Sequence, residues 1–217
     1  SFLNLEMVSK IISLILFISF INGQIALPTF QGVHKPQVEE SCDQTIAINK
    51  SDRGWYTSNG YHISSNQNTI TGPGYTDAHS WFTFDLSGFS GGACGVTLRL
   101  EVERYNSTAS NCTSTIYDVS TPHDDLVASH SNGSASGQTI HADLGSGNSY
   151  GSATISSSDV GDIIEYTLSA QAISDVNSAA GGWFSIGTTI SNDNDNGWVR
   201  FSSGSESRTH QIVLEYQ

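Results

Sequence analysis

Aromatic residues beside a predicted turn are the first candidates for chemistry. Trp55, Tyr56 and Tyr61 surround an Asn-Gly pair at positions 59–60, which predicts a tight turn. Aromatic rings stack on the apolar faces of sugars, while neighbouring Asn and Asp side chains bond the sugar hydroxyls. Because an aromatic residue beside a turn belongs less often to a core, we predict that Trp55, Tyr56 and Tyr61 bind a ligand. The alternative is packing within the core and the turns.

A run of oxygen-bearing side chains at residues 192–197 is the second candidate. Asp193 and Asp195 alternate there with asparagines, and carboxylate and amide oxygens are the ligands that Ca²⁺ prefers. Asn and Asp are also common in ordinary turns, because they bond their own backbone. We predict Asp193 and Asp195 as metal ligands, with Ca²⁺ as the ion and no other cofactor.

Two glutamates could support hydrolysis. Glu101 and Glu103 share one face of a predicted strand with Arg99, about 7 Å apart per step, and paired carboxylates perform acid–base catalysis in glycosidases. Neighbours on one strand more commonly form a solvated face with weak Arg–Glu pairing.

The seven histidines show no HExxH spacing, and no Gly-x-Ser-x-Gly elbow has partners. The sequence therefore predicts no catalytic residues.

Cysteine count and spacing limit the disulfides. Cys42, Cys94 and Cys112 would give one bridge and one spare thiol in an oxidising compartment. A hairpin of strands 94–104 and 112–119 would hold Cys94 and Cys112 roughly 30 Å apart along the strands, beyond disulfide reach. We therefore predict that Cys42 pairs with Cys94 or with Cys112.

Four triplets match the acceptor for N-glycosylation. They begin at Asn49, Asn106, Asn111 and Asn132, and their predicted positions at turns suit modification in a eukaryotic host. Because Asn, Ser and Thr are frequent in this chain, about three or four such triplets are expected by chance.

Net charge restricts the partners. The 217 residues carry a formal charge of −13, which excludes nucleic acid because phosphate needs a positive surface. It also disfavours anionic membranes. The partner that the sequence favours is an extracellular glycan or another surface polymer, and the oligomeric state stays open.

The first residues are typical of a targeting segment. Lys10 precedes an apolar run at 11–21, which is too short to span a bilayer well. A small residue then leaves Gln24 as the mature start, as in a secretory signal peptide; the alternative is a membrane anchor. We predict upstream residues and a signal peptide at 1–23, an extended leader at 24–40 and one domain at 41–217. The mature protein would be secreted and extracellular, without membrane insertion.

Alternation of apolar and polar residues predicts the fold. Residues 94–102 alternate strictly, and the stretches 82–86 and 113–119 are rich in β-formers, so these three strands are expected to form one central antiparallel sheet. One helix is predicted at 169–180, capped by Ser169. The expected fold is an all-β, jelly-roll-like antiparallel β-sandwich, with further strands at 42–48, 126–130, 138–144, 150–155, 163–168, 183–190, 197–202 and 210–216.

Several phrases resemble one group of proteins when taken in order. They include GWYTSNGYH (54–62), WFTFDLSG (81–88), TLRLEV (97–102), GGWFSIG (181–187) and HQIVLEY (210–216). Their succession resembles secreted β-sandwich proteins found in bacteria with PEP-CTERM sorting tags. The resemblance implies a jelly-roll-like sandwich on an extracellular surface or in a matrix, and it supplies no catalytic residues. Because no sorting tag follows the last strand, free secretion is expected.

Three functions fit these observations. The first is a secreted, non-catalytic binding or matrix protein that binds carbohydrate. The second is an extracellular hydrolase acting on a polymer, with Glu101, Glu103 or the loop aspartates involved, which are Asp124, Asp125, Asp193 and Asp195. The third is a structural glycoprotein that assembles through its free cysteine. We favour the first, because no assembled catalytic set is visible.

Glycosylation is the prediction that the sequence alone makes testable. In a eukaryotic secretory pathway we expect Asn106 or Asn111 to carry a glycan, because both lie at predicted turns. Mass spectrometry before and after enzymatic deglycosylation measures this. An unchanged mass of the native protein would contradict the prediction.

Overall fold

Short alternating segments form twelve strands in the part of the chain that the structure describes. This computed structural model describes residues 42–191, 196–204 and 207–217, so the predicted signal peptide and leader lie outside the described residues. The strands are β1 (Gln44–Asn49), β2 (Asp52–Thr57), β3 (Thr69–Thr71), β4 (Ala78–Asp85), β5 (Ala93–Glu101), β6 (Arg104–Asn106), β7 (Asn111–Asp118), β8 (Ser149–Ser156), β9 (Ile163–Thr167), β10 (Trp183–Ser191), β11 (Trp198–Ser202) and β12 (His210–Tyr216).

Two antiparallel sheets pack into a jelly roll. One sheet has the order β1-β12-β5-β9, and the other has the order β2-β4-β10-β7-β8. If β2 is set aside, eight strands remain in these two sheets. Renumbered 1 to 8 along the chain, they have the orders 1-8-3-6 and 2-7-4-5. This is the doubly wound Greek-key order of a jelly roll, so the predicted fold class is confirmed. A small third sheet, β3-β11-β6, lies beside them.

The core fills the space between the two large sheets. Val96, Leu98 and Leu100 of β5 are buried, whereas the residues between them are partly exposed. This confirms the alternation predicted from sequence. Phe82 and Phe84 of β4 are fully buried in the same cluster.

The three strands predicted to form one central sheet belong to two sheets. β5 lies between β12 and β9, whereas β4 and β7 both pair with β10 in the other sheet. The predicted hairpin of 94–104 with 112–119 is therefore wrong. The cause is β6, which pairs with β11 and carries the chain across from one sheet to the other.

Two segments predicted as strands do not form strands. Residues 126–130 consist of the last residue of helix α1 (His123–Leu126) and the loop that follows it, and residues 138–144 fall largely in helix α2 (Ala135–Asp143). Ser134 caps α2 by accepting a hydrogen bond from the Gly137 amide at 3.2 Å. Ile140 and Leu144 lie one turn apart and are buried, so helical burial overrides their β-propensity.

The helix predicted at 169–180 is confirmed as α3 (Ala170–Ser178). Ser169 is its N-cap and accepts a hydrogen bond from the amide of Ala172. None of the described helices combines the length and the apolar character that crossing a bilayer requires.

The predicted pairing of Cys42 with Cys94 or Cys112 is resolved as a Cys42–Cys94 disulfide. Their Cα atoms are 6.3 Å apart. Cys112 is a free thiol, 2% exposed, and burial raises its pKa to about 11. A buried thiol with a raised pKa is unreactive, so Cys112 is not available for a disulfide with another chain.

Removing the disulfide should lower stability substantially. The bridge closes a loop of 52 residues, and a double Cys42→Ser, Cys94→Ser variant should lose about 4 kcal/mol of unfolding free energy, because its unfolded chain is less restricted. Denaturant unfolding measures this. Thiol titration is the control: the native wild type should show no reactive thiol and the unfolded, unreduced protein one. A Cys112 that reacts in the native state would contradict this arrangement.

Candidate functional site

The edge strand β2 presents different side chains to the two faces of its sheet. Trp55 pairs with Ser80 of β4, and Tyr56 pairs with His79. Since successive side chains of a strand point to opposite faces, Trp55 and Thr57 lie on one face and Tyr56 on the other. Two of the three predicted ligand-binding residues are therefore separated by the sheet.

Trp55 and Tyr61 line a cavity of about 340 Å³, a size suited to a small ligand or a sugar unit. We call it the aromatic pocket. None of the described residues that line it is charged; they are Trp55, Thr57, Asn59, Tyr61, Tyr75, Thr76 and Asn132. The pocket combines aromatic rings with hydroxyl and amide groups.

Tyr75 is the exposed ring of this pocket. It is 40% exposed and meets the buried Trp55 edge to face, with ring centroids 5.5 Å apart. Tyr61 lies 6.2 Å from Trp55, and behind Tyr75 stands Trp198 at 6.3 Å. The indole N–H of Trp55 is buried and has no hydrogen-bond partner among the described residues. It is therefore a hydrogen-bond donor without an acceptor among the described residues.

The loop that carries Tyr75 has a strained backbone. Thr76 and Asp77 have positive φ angles of 51° and 49°, which is unfavourable for a β-branched residue such as threonine. The amide of Ser58 donates to the carbonyl of Asp77 at 2.9 Å, and the Ser58 hydroxyl donates to the carbonyl of Thr76 at 3.3 Å. The turn after β2 thereby holds the strained loop against the pocket, and such strain is concentrated at functional sites.

Tyr56 lies on the opposite face and is 0% exposed. Its hydroxyl lies within hydrogen-bond distance of the carbonyl oxygens of Asp125, Leu126 and Ala128, and burial raises its pKa. The structure thus places it in a second core cluster with Trp81 and not in the aromatic pocket. The prediction that Tyr56 binds a ligand is wrong, because β2 turns it inward.

A second cavity, of about 450 Å³, lies at the end of the sandwich. Trp183 is 44% exposed there and stacks on His123, with centroids 3.8 Å apart. His123 in turn contacts Asp52 at 3.0 Å. We call this the acidic cavity, because its lining includes two aspartates, Asp118 and Asp175.

The carboxylates of the acidic cavity are held by neighbouring donors. Asp175 accepts hydrogen bonds from the Tyr150 hydroxyl at 2.7 Å and from Gln171 at 3.0 Å. Asp118 accepts from the backbone and side-chain amides of Asn148 at 2.8 and 2.9 Å. The bonds to Asp118 connect the end of β7 with the residue before β8, and the bond from Tyr150 to Asp175 holds α3 against β8. Both aspartates therefore have a structural role.

The glutamates considered for hydrolysis form ion pairs. Glu101 bonds Arg208 at 2.7 Å and the amide of Thr209 at 2.9 Å, and Glu103 makes a two-pronged contact with Arg200. The hydrogen bond from Arg200 lowers the pKa of Glu103. A general acid needs a carboxyl group that keeps its proton, so a lowered pKa does not suit that role. Arg99 pairs with Glu165 on the neighbouring strand at 2.7 Å. Neither glutamate lines either cavity.

The remaining predicted sites divide between described and undescribed residues. Asp193 and Asp195 lie outside the described residues, so the Ca²⁺ site stays a prediction. Asp124 and Asp125 lie in α1 and not in a loop. All four glycosylation asparagines are exposed, and glycosylation stays a prediction: Asn49 ends β1, Asn106 ends β6, Asn111 begins β7 and Asn132 lines the aromatic pocket.

Tyr75 and Thr76 line the pocket but are not among the three predicted ligand-binding residues. The Gly-Pro-Gly sequence at 72–74 signals a turn, and an aromatic residue next to a turn is the same signal that identified Trp55 and Tyr61. The positive φ angle of Thr76 has no signature in the sequence, because threonine rarely adopts it.

Comparison with known proteins supplies no family. No model of a protein family matches the chain, and a search of curated proteins found no match. The resemblance to PEP-CTERM-associated proteins therefore stays a prediction.

Buried histidines should make stability fall in mild acid. Burial lowers the pKa values of His62 and His210 from 6.5 to about 4, so both stay neutral in the folded protein. Their contribution to the free energy of unfolding is complete above pH 6.5. It is lost as the pH falls from 6.5 towards 4, because the unfolded chain binds protons that the folded protein does not. Within that window each histidine should lower the free energy of unfolding by about 1.4 kcal/mol per pH unit.

Denaturant unfolding at several pH values measures this slope. A His62→Phe variant should show a shallower slope, since it has one fewer proton to take up on unfolding. A wild-type stability that stays constant between pH 6.5 and pH 5 would contradict the expected behaviour.

Proposed function

We propose that the protein is a secreted, non-catalytic carbohydrate-binding protein and that the aromatic pocket holds a neutral sugar. The observation that carries the proposal is the exposed ring of Tyr75, which stands edge to face against the buried Trp55 in a pocket rimmed by amides and hydroxyls. Jelly-roll sandwiches serve as lectin domains elsewhere, but fold alone does not decide function.

The chemistry of the pocket suits a sugar. One face of a pyranose ring is apolar and stacks on Tyr75 or Tyr61, while Asn59, Asn132 and Thr76 offer donors and acceptors for its hydroxyls. Because the described lining carries no charge and the chain as a whole is strongly acidic, a neutral sugar fits better than an anionic one.

The disulfide supports an extracellular location. Bridges such as Cys42–Cys94 persist in oxidising compartments and are rare in the cytosol. An apolar stretch at 11–21 with the pattern of a signal peptide agrees with this. Glycan attached at Asn49, Asn106 or Asn111 would be compatible with the same route, whereas a glycan on Asn132 would occupy the aromatic pocket.

The alternative functions have weaker support. Hydrolysis by Glu101 or Glu103 is disfavoured, since arginine pairing commits both carboxylates. A hydrolase would have to use the acidic cavity, where Asp118 and Asp175 already bond other groups. Assembly through a free cysteine is disfavoured because Cys112 is buried.

Binding to neutral polysaccharides tests the proposal. Wild-type protein should be retarded in affinity gels that contain a neutral polysaccharide or bind a neutral member of a glycan array. Tyr75→Ala should weaken that binding about tenfold, because loss of a stacking partner costs roughly 1.5 kcal/mol. Circular dichroism would verify that the variant keeps its fold.

Trp183→Ala is the matched control, since Trp183 is exposed to a similar degree but lines the acidic cavity. Its affinity should equal that of the wild type. Loss of binding in Trp183→Ala with normal binding in Tyr75→Ala would move the site to the acidic cavity. No binding by the wild type would refute the proposed function, and release of reducing sugar would favour a hydrolase.

A further inference from the structure

Three potential metal ligands converge where α2 covers the outer face of the second sheet. Ligand atoms of Asp77, His79 and His141 all lie within 4.8 Å of one another. We propose that these three residues form a site for a transition metal ion of the Zn²⁺ class. This site lies across the sheet from the proposed sugar pocket, because His79 and Trp55 face opposite sides, and its ligand Asp77 directly follows the pocket residue Thr76.

Hydrogen bonds fix which nitrogen of each imidazole is free. His79 uses Nδ1 to donate to the carbonyl oxygen of His141 at 2.8 Å, and His141 uses Nε2 to donate to the carbonyl oxygen of Asp77 at 2.8 Å. A carbonyl accepts only from a protonated nitrogen, so Nε2 of His79 and Nδ1 of His141 carry lone pairs. A backbone carbonyl bonded to the second ring nitrogen is the usual support of a metal-binding histidine.

Burial keeps both imidazoles ready to bind a cation. Desolvation lowers the pKa of His79, and it lowers the pKa of His141 to about 4. Desolvation thus favours the neutral form of each ring, which is the form that binds a metal ion.

Asp77 supplies a carboxylate on the solvent side. It is exposed, whereas His141 is buried beneath it, so an ion can enter from solvent past Asp77. The backbone of Asp77 is held at a φ of 49° by its carbonyl, which accepts from both Ser58 and His141. This arrangement places the carboxylate beside the two rings at a cost in backbone strain.

The donor set selects the class of ion. Two imidazole nitrogens and one carboxylate suit Zn²⁺ and its neighbours, with a position left open for water, whereas Ca²⁺ and Mg²⁺ prefer oxygen ligands. The rings are stacked, with centroids 3.9 Å apart and planes at 8°. Ligand atoms around tetrahedral zinc lie about 3.3 Å apart, so binding requires the rings to splay out of the stack.

Zinc titration of tag-free, chelator-treated protein tests the site. Calorimetry should show one Zn²⁺ ion per chain, and Co²⁺ should give the visible absorption of a four-coordinate site. Asp77→Asn should weaken Zn²⁺ binding at least tenfold. Asparagine tolerates positive φ, so this variant is expected to keep the backbone and remove only the charged ligand.

Asp124→Asn is the matched control, because it removes one negative charge from an exposed side chain that contacts His123 and is not one of the three ligands. It should bind Zn²⁺ as the wild type does. Absence of stoichiometric binding by the wild type, or equal weakening in both variants, would overturn the proposal. Sugar binding is not measured in this experiment, so its outcome does not depend on the proposed function.

Discussion

The antiparallel pairing of β2 with β4 in one register is the constraint on which both candidate sites depend. It sets Trp55 opposite Ser80 and Tyr56 opposite His79. A slip of one residue would exchange the two faces, turning Tyr56 towards the aromatic pocket and Trp55 towards α2. Backbone hydrogen bonds and the burial of Tyr56 therefore decide which aromatic ring is available to a ligand.

Close contact between α2 and the sheet reinforces this register. The carbonyl of Leu144 approaches Gly187 of β10, where a Cβ atom would collide with it, and Trp81 lies over Gly54 of β2, where a Cβ would be 2.8 Å from the indole. Glycine at both positions lets large groups lie flat on the sheet. The segment between β7 and β8 thus closes the outer face with Tyr56 and Trp81 inside, and it brings His141 to His79.

Sequence pattern predicted the parts of the fold that rest on local periodicity. The alternation of β5 and the Ser169 cap of α3 are readable because each is determined by neighbouring residues. The strand predicted at 138–144 failed because Thr139 and Ile140 favour β-structure, while the helical signal was limited to the Ser134 cap and the spacing of Ile140 and Leu144. The false hairpin arose because β6, only three residues long, gave no sign that the chain changes sheet.

The candidate sites were predictable only in part. Turn signals identified Trp55 and Tyr61. Because Trp55 and Tyr56 are adjacent in β2 and the strand has no apolar–polar alternation, the sequence does not show which of the two rings faces the pocket. His79 and His141 are 62 residues apart, and nothing in their local sequence joins them. Only the packing of α2 on β4 does so.

Residue-resolved hydroxyl-radical footprinting of the native protein most directly tests which side chains of β2 and β4 face the core and which face solvent. The rate of ring oxidation follows solvent exposure, so Tyr75 and Trp183 should react readily while Tyr56 and Trp81, almost fully buried, stay protected until the protein unfolds. Oxidation of Tyr56 in the native protein at the rate of Tyr75 would contradict the register and, with it, the position of both sites.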